Sequence, residues 1–563
     1  MAEAPAEPHL HSSDATAPAP DAESPYPDLP PHLVLRILGQ LQPNEVACTA
    51  RLVCKSIAAE LSSPQHTTVR LSQPSPHGEF TCRWGGAGGL RALPFTRRHL
   101  LLALTAASGC MVNLKWLAEC VGCFPTVPVF GAAAAAGRLY VYRWLQQQRG
   151  LQGYAGRSEL CALLALPAAA GSGQQESVCA AARGGHVGLV EWLLQHLSDP
   201  TVAHHSVTNW GDSALLSSVA EGCNLPTLQR LYRAYPPVEE PPDHPTHPVA
   251  DILVAAAGSP TPDWGAKVEW LEQQGILANS GACARAASCP DALDRLAWLR
   301  GRGYPWDWHV TAAAAVAGNM GALRYLLAGG CPVVVEVMRE VAAAGQLEAL
   351  QALHAHGVAS NPGAWYKAIA SAAQGGHLPV VAWLIEAQLV LPEELVQLGP
   401  NFLCSAFRSG SMDLLLWLRE HGCCRRWHED IFLAAVKGGD EEALEWLVEQ
   451  GCPMPESAQE VHDPFSVAAR QGDWNTLACL RRLGCPWRQP NQENDGTFID
   501  AIRNECPVPI LQLLLRLGCP VDWARAALMA KHRENTPELE ALLREERQRQ
   551  KKERRGRSQQ RQR

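Results

Sequence analysis

A glycine, then a Trp-Leu step seven residues on, then Gly-Cys-Pro: this phrase recurs along most of the 563-residue chain. Its clearest copy runs Gly439 … Trp446-Leu447 … Gly451-Cys452-Pro453. Others are Gly318 … Tyr325-Leu326 … Gly330-Cys331-Pro332, Gly410 … Trp417-Leu418 … Gly422-Cys423 and Gly472 … Cys479-Leu480 … Gly484-Cys485-Pro486. A short fixed period excludes one large globule and dictates a stack of small units. Stacks of this kind bind other macromolecules along an extended surface.

The anchor step falls at Trp116, Trp144, Trp192, Trp270, Trp298, Tyr325, Trp383, Trp417 and Trp446, with degenerate copies at Ala352-Leu353, Cys479-Leu480 and Leu513-Leu514. From Trp270 onward the spacings are 28, 27, 27, 31, 34, 29, 33 and 34 residues. One glycine series precedes the anchor by seven: 109, 137, 185, 318, 345, 376, 410, 439 and 472. A second follows it by five: 275, 303, 330, 357, 422, 451, 484 and 518. The spacing describes a helix pair. An Ala-rich first helix such as Leu433-Ala434-Ala435-Val436 ends at Gly438-Gly439, where a left-handed turn is needed. Asp440 caps the second helix. Ala443, Leu444, Trp446 and Leu447 give that helix one apolar stripe, so the anchor aromatic reads as core.

The pattern resembles the ankyrin repeat. Ala181-Ala182-Arg183-Gly184-Gly185-His186-Val187-Gly188-Leu189-Val190-Glu191-Trp192-Leu193-Leu194 matches that family's turn and second helix, as does Ala372 to Leu384. Trp stands for the usual Leu, and the family's Gly-Ala-Asp becomes Gly-Cys-Pro. The resemblance implies helix-turn-helix stacking over about 95–530. It is weaker for projecting β-hairpin fingers, because the 27-residue copies lack room for them. Insertions near 151–177 and 235–248 interrupt the array.

Residues 26–62 form a separate small unit. Leu33, Ile37 and Leu41 follow one helical stripe, Pro43-Asn44 turns the chain, and Asn44 reads as the next cap. About 35 residues make too small a core to be stable alone, which leaves apolar surface for a partner. The segment resembles the F-box in Leu29-Pro30, Ile37-Leu38, Leu41, Pro43, Val46 and Leu52-Val53-Cys54-Lys55, with Ile57 where the family has Trp. That resemblance implies docking to a Skp-type adaptor and cullin through Leu29, Pro30, Ile37, Leu38, Leu41, Leu52, Val53, Cys54 and Ile57. The repeats would then select a protein substrate, which the sequence does not name. The fold class is therefore all-α: an ankyrin-like solenoid preceded by a small F-box helical domain. The alternative is a stand-alone ankyrin-type scaffold with no ubiquitin link.

Residues 1–25 contain few large apolar groups and read as disordered. Residues 63–94, rich in Pro, Gly, Ser and Thr, read as a linker with a short strand at Thr67–Leu71. Residues 531–563 read as a basic tail. From Arg544 to Arg563, 10 Lys/Arg face 3 Glu, so +7 sits there and about −15 elsewhere in a chain of net charge −8. No aromatics interleave those cations, which argues against nucleic acid.

No phosphate loop, His-Glu-x-x-His motif or nucleophile elbow occurs, so the chain reads as non-catalytic, with no cofactor and no metal. His204-His205, His244 and His247 read as loop histidines. No signal or membrane-spanning segment is visible, which gives an intracellular reading in cytoplasm or nucleus and no membrane partner. The Cys331, Cys423, Cys452, Cys485, Cys519 series lies at one repeat position, spaced roughly 8–10 Å along a stack, too far to cross-link. Cys120-Val121-Gly122-Cys123 lacks the second pair a zinc site needs. Five tryptophans follow the inter-repeat glycines: Trp306, Trp308, Trp427, Trp487 and Trp523. They are candidates for substrate contact, set against simple packing at the edge of the stack.

Overall fold

The computed structural model describes residues 31–86, 89–151, 169–197, 213–237, 248–358, 362–387, 389–390, 400–422, 427–455, 463–490, 495–532 and 538–549. Among them the regular structure is helical and no strand occurs. The expected strand at Thr67–Leu71 is absent. Ser63-Pro64 instead opens a short helix, Pro64–Thr67, with the proline at a first-turn position that needs no N–H. The segment read as linker also holds the helix His77–Gly85. Its Phe80 is buried and meets Trp116 edge-on at 6.0 Å. Two apolar rings four residues apart, Phe80 and Trp84, were the signal hidden by the surrounding Gly and Ser.

The chain divides into two units: 1–70 with 74–79, and 71–73 with 80–563. The first holds the helices Pro31–Leu38, Pro43–Cys48 and Lys55–Glu60, a 3-10 turn at Ala50–Leu52, and Pro64–Thr67. Its core is small: Val46, Ile57 and Leu61, with Leu38 and Cys54 packed against it. Asn44 is not the cap. The helix starts two residues earlier, at Pro43, with Gln42 as its cap and the Gln42 N–H donating to Glu45 Oε2. Asn44 is fully buried; its Nδ2 donates to the carbonyls of Arg70 (2.8 Å) and Pro74 (3.1 Å), and its Oδ1 accepts from the Arg70 N–H.

The second unit is a helical-repeat solenoid. Helix pairs run from Phe95–Ser108 with Met111–Cys120 to Gly496–Arg503 with Val508–Arg516. Every member of both glycine series has positive φ, from 65° to 89°. At the end of the second helix the Gly451 N–H bonds to Val448 O and the Cys452 N–H to Leu447 O, both at 3.0 Å. This is a Schellman ending: the last carbonyls are satisfied by a left-handed glycine and the residue after it. Tyr304, Cys331, Cys485 and Cys519 repeat it on the carbonyls of Leu299, Leu326, Leu480 and Leu514. The residue after the glycine therefore folds back under the anchor leucine. Tyr304 and these cysteines are buried there, and proline then stops the helix from resuming.

The first helix ends the same way, and one residue serves two purposes. Asp473 N–H closes the ending by donating to Ala468 O, while Asp473 Oδ1 caps the next helix by accepting from the Thr476 N–H. Asn319 and Asp440 cap their helices through the N–H groups of Ala322 and Ala443. Further first-helix carbonyls are taken by the next repeat. His377 Nε2 meets Ala343 O at 2.9 Å, Gln471 Nε2 donates to Lys437 O at 2.9 Å, and Asn319 Nδ2 to Ala287 O at 3.4 Å. Two buried cations do the same, Lys267 on Ala220 O and Arg295 on Ala257 O. A cation at a helix C-terminus also meets the negative end of the dipole.

The anchor aromatic is not the core residue. The leucines after it, such as Leu117, Leu271, Leu299, Leu384 and Leu447, are fully buried, whereas Trp116, Trp270, Trp298, Trp383 and Trp446 are only partly so. Tryptophan is too long for the narrow space between Ala-rich helices, so it lies along the edge of the stack.

One pair had no visible anchor. Ala214–Gly222 and Leu225–Ala234 form a full repeat in which Arg230-Leu231 replaces Trp-Leu and Cys223 stands at the glycine position. Its surviving signal is Asn224, which caps through the Thr227 N–H as Asp440 does elsewhere. At the other end, the array does not stop near 530. After Trp523–His532 a helix at 538–549 buries Leu539, Leu542 and Leu543. This i, i+3, i+4 stripe sits among charges that made it read as tail. It covers the apolar end that a terminal repeat must hide. The N-terminus read as disordered, most of both insertions, the loop histidines named above and residues 550–563 lie outside the described residues.

Candidate interaction surfaces

In the N-terminal unit the adaptor-facing candidates separate by burial. Ile37, Leu41, Leu52 and Val53 are 56%, 40%, 68% and 55% exposed, values unusual for such side chains in so short a stretch. Leu38 and Cys54 are partly buried against the small core. Ile57 lies inside that core at 7% exposure, so its place in the motif is to hold the helices together. Leu29 and Pro30 are outside the described residues. The 3-10 turn carries Leu52 outward, with Val53 directly after it, because Ala50, the one small residue of the turn, takes the buried position.

The five loop tryptophans do not converge. Each is partly buried against the core of the stack. Trp306 meets Tyr325 edge-on at 5.8 Å, and the Arg300 guanidinium lies 4.5 Å over its ring. Trp427 meets Trp446 at 5.6 Å and Phe407 at 6.1 Å, both edge-on. In both pairs the loop ring packs on the anchor aromatic of the helix pair that follows it. Such contacts contribute about 0.5–1.5 kcal/mol each beyond area burial. Trp487 has no anchor ring available, since Leu513 stands there, and stacks on Phe465 at 3.7 Å instead. Trp308 stacks on His309. Trp523 borders a cavity of about 130 Å³ with Ala530, Lys531, Leu543 and Arg544.

Of the cysteine series, Cys331, Cys452, Cys485 and Cys519 carry free, buried thiols; Cys423 is outside the described residues. Burial pushes the thiols of Cys452 and Cys485 up to about 11 and about 12, so they stay protonated and unreactive. Cys120 and Cys123 are likewise free. Among the described residues, Glu441, Glu445 and Cys479 come within reach of one ion. Arg91 and Arg482 both occupy those carboxylates, so the cluster is an ion-pair network. No described helix is long and apolar enough to cross a membrane.

No protein-family model matches the chain, and no curated protein does. Among solved structures it is similar to a pentatricopeptide repeat protein from maize, at 12% identity and a TM-score of 0.24, over 80% of this chain and 67% of that one.

Proposed function

We propose that the chain is a non-catalytic, intracellular interaction protein. In this reading the N-terminal unit docks onto a Skp-type adaptor of a cullin–RING ubiquitin ligase, and the ankyrin-like array receives the protein to be modified. The observation that carries it is the exposed quartet Ile37, Leu41, Leu52 and Val53 on a unit whose own core is three residues deep. A unit that small gains little by folding alone, and apolar groups left outside are available to a partner helix. The F-box-like spacing supports the identity of that partner. The stack supports the second half, since extended arrays present long recognition surfaces.

The test uses the full chain and a purified Skp-type adaptor in size-exclusion chromatography. Wild type should co-elute with the adaptor. A Leu52→Asp, Val53→Asp variant should keep its melting temperature, because both positions are exposed, and bind at least about thirtyfold more weakly. A wild-type chain that does not bind the adaptor sinks the ligase reading and leaves the stand-alone scaffold.

A further inference from the structure

Repeats of an open array touch only their neighbours. Here the first helix pair touches the eleventh and twelfth positions of the stack. Arg98 and Asp473 stand 375 residues apart, yet Arg98 Nη1 and Nη2 bind the two carboxylate oxygens at 3.1 and 2.6 Å. Arg98 Nη2 also donates to Gly439 O (2.9 Å) and Nη1 to Val121 O (3.2 Å). Both charged side chains are sealed from solvent, at 1% and 0% exposure. Around them the Trp474 N–H donates to Gly122 O at 3.0 Å, and Phe124 meets Trp474 edge-on at 4.9 Å. On the rim, Arg91 pairs with Glu441 at 3.3 Å and Glu445 at 2.6 Å.

We propose that the solenoid is latched into a closed superhelical turn, with the Arg98–Asp473 pair as the bolt. Four glycines carry its imprint. A Cβ on Gly439 would lie 2.7 Å from Phe95 Cβ; one on Gly410 would overlap Pro94, and one on Gly122 would overlap Asn475. Gly122 lies one residue outside the second glycine series: it ends the helix Met111–Cys120 with a left-handed φ of 70°, and Asn475 of the far repeat stands against it. The Cys120-Val121-Gly122-Cys123 segment thereby acquires a role that involves neither zinc nor a disulfide: its Gly122 carbonyl accepts from Trp474 at the far end of the array, and its Val121 carbonyl holds Arg98. Gly472 keeps the same junction open to Phe124, 3.7 Å from where its Cβ would be.

The pair suits a latch for an energetic reason. Removing two charges from water roughly cancels their attraction, while leaving one of them buried alone is heavily unfavourable. The pair therefore adds little net stability of its own, while the closed form depends on both partners. Asp473 also caps its own helix through Thr476, so its carboxylate is held in place whether or not Arg98 arrives.

The experiment combines small-angle X-ray scattering with hydrogen exchange on the full chain. Two variants are made: Arg98→Met, and Arg91→Glu on the half-exposed rim, where misfolding is no concern. Each should raise the radius of gyration. Exchange should rise about tenfold or more in segments 91–99, 120–124, 437–442 and 472–476 together, while segments 282–350 stay as in wild type. Adding Asp473→Asn to Arg98→Met keeps the helix cap and removes the orphaned charge, and should restore part of the protection. Scattering identical to wild type in both variants overturns the latch. So does exchange that rises on one side of the junction only, or evenly along the chain.

Discussion

Gly439→Ala should destabilise the array by about 3 kcal/mol or more, and Gly451→Ala by only about 1–2 kcal/mol, although both residues sit at φ near 70° in the same repeat. The left-handed backbone accounts for about 1–2 kcal/mol at either site. The difference lies in what the new methyl meets. At Gly451 nothing stands within 4 Å. At Gly439 the methyl would lie 2.6 Å from Asp473 Oδ2, which is fully buried, and 2.7 Å from Phe95 Cβ, which is partly buried, both part of the junction that Arg98 closes. Neither can retreat without opening it. The glycines after the second helix at 303, 330, 357, 422, 484 and 518 also face open space, whereas those after the first helix at 109, 137, 318 and 345 face Tyr140, His186, Gln346 and His377 of the next repeat. The prediction therefore extends to the two series: the second should lose only the backbone cost of about 1–2 kcal/mol, and the first more, except at Gly472, whose Cβ would meet only Phe124 at 3.7 Å. Urea midpoints of the two variants decide it; equal losses would mean that only the backbone conformation matters.

Both glycine series were legible because their cause is local. A positive φ excludes most side chains wherever it occurs, so the residue recurs with the turn. Asp440 was legible for a similar reason, as a cap at a set distance from the anchor, and Asp473 and Asn319 repeat it in the structure. The division of labour inside Trp446-Leu447 was not. Both residues fall on one helical stripe, and only the narrow gap between Ala-rich helices puts leucine inside and tryptophan at the edge. The repeat at Ala214–Ala234 escaped because two of its three markers were replaced and only the cap remained.

Closure of the array left almost no trace in the sequence. Arg98 reads as one charge in Phe95-Thr96-Arg97-Arg98-His99, and nothing periodic ties it to Asp473. In the N-terminal unit the motif spacing marked the exposed Ile37, Leu41, Leu52 and Val53. It could not reveal that Ile57 turns inward, because helical stripes of so short a unit mix core and contact residues.

Asp440→Ser should raise stability at pH 7.5 by about 3 kcal/mol and uncover a pH dependence that wild type conceals. Asp440 is fully buried; its Oδ1 accepts from the Ala443 N–H, while its Oδ2 has no hydrogen-bond partner. Burial raises its carboxyl to about 6; Glu442 adds to the rise, and the Ala443 N–H and Arg98 oppose it. Between the unfolded value near 4 and this one, the unfolded chain has released a proton that the folded chain keeps. Stability from this group therefore falls as pH rises, and the full penalty is present above pH 6. Near the same junction, burial and then Arg98 lower the His99 imidazole to about 4, against the pull of Asp473. Its Nδ1 lies 3.1 Å from Thr126 Oγ1, and its Nε2 is buried without a partner. Between pH 4 and about 6.5 the unfolded chain binds a proton that the folded chain refuses, so stability from His99 rises with pH. Two shifts of about 2 units each, opposite in sign, leave these groups nearly silent together across pH 5–6.5. Serine caps as well as aspartate and carries no charge, so the variant keeps the helix and loses only the falling component. Urea midpoints at pH 5, 6 and 7.5 should be nearly level for wild type in this respect and should climb with pH for Asp440→Ser. A variant less stable than wild type at pH 7.5 would mean that the Asp440 carboxylate is charged and satisfied in the folded chain.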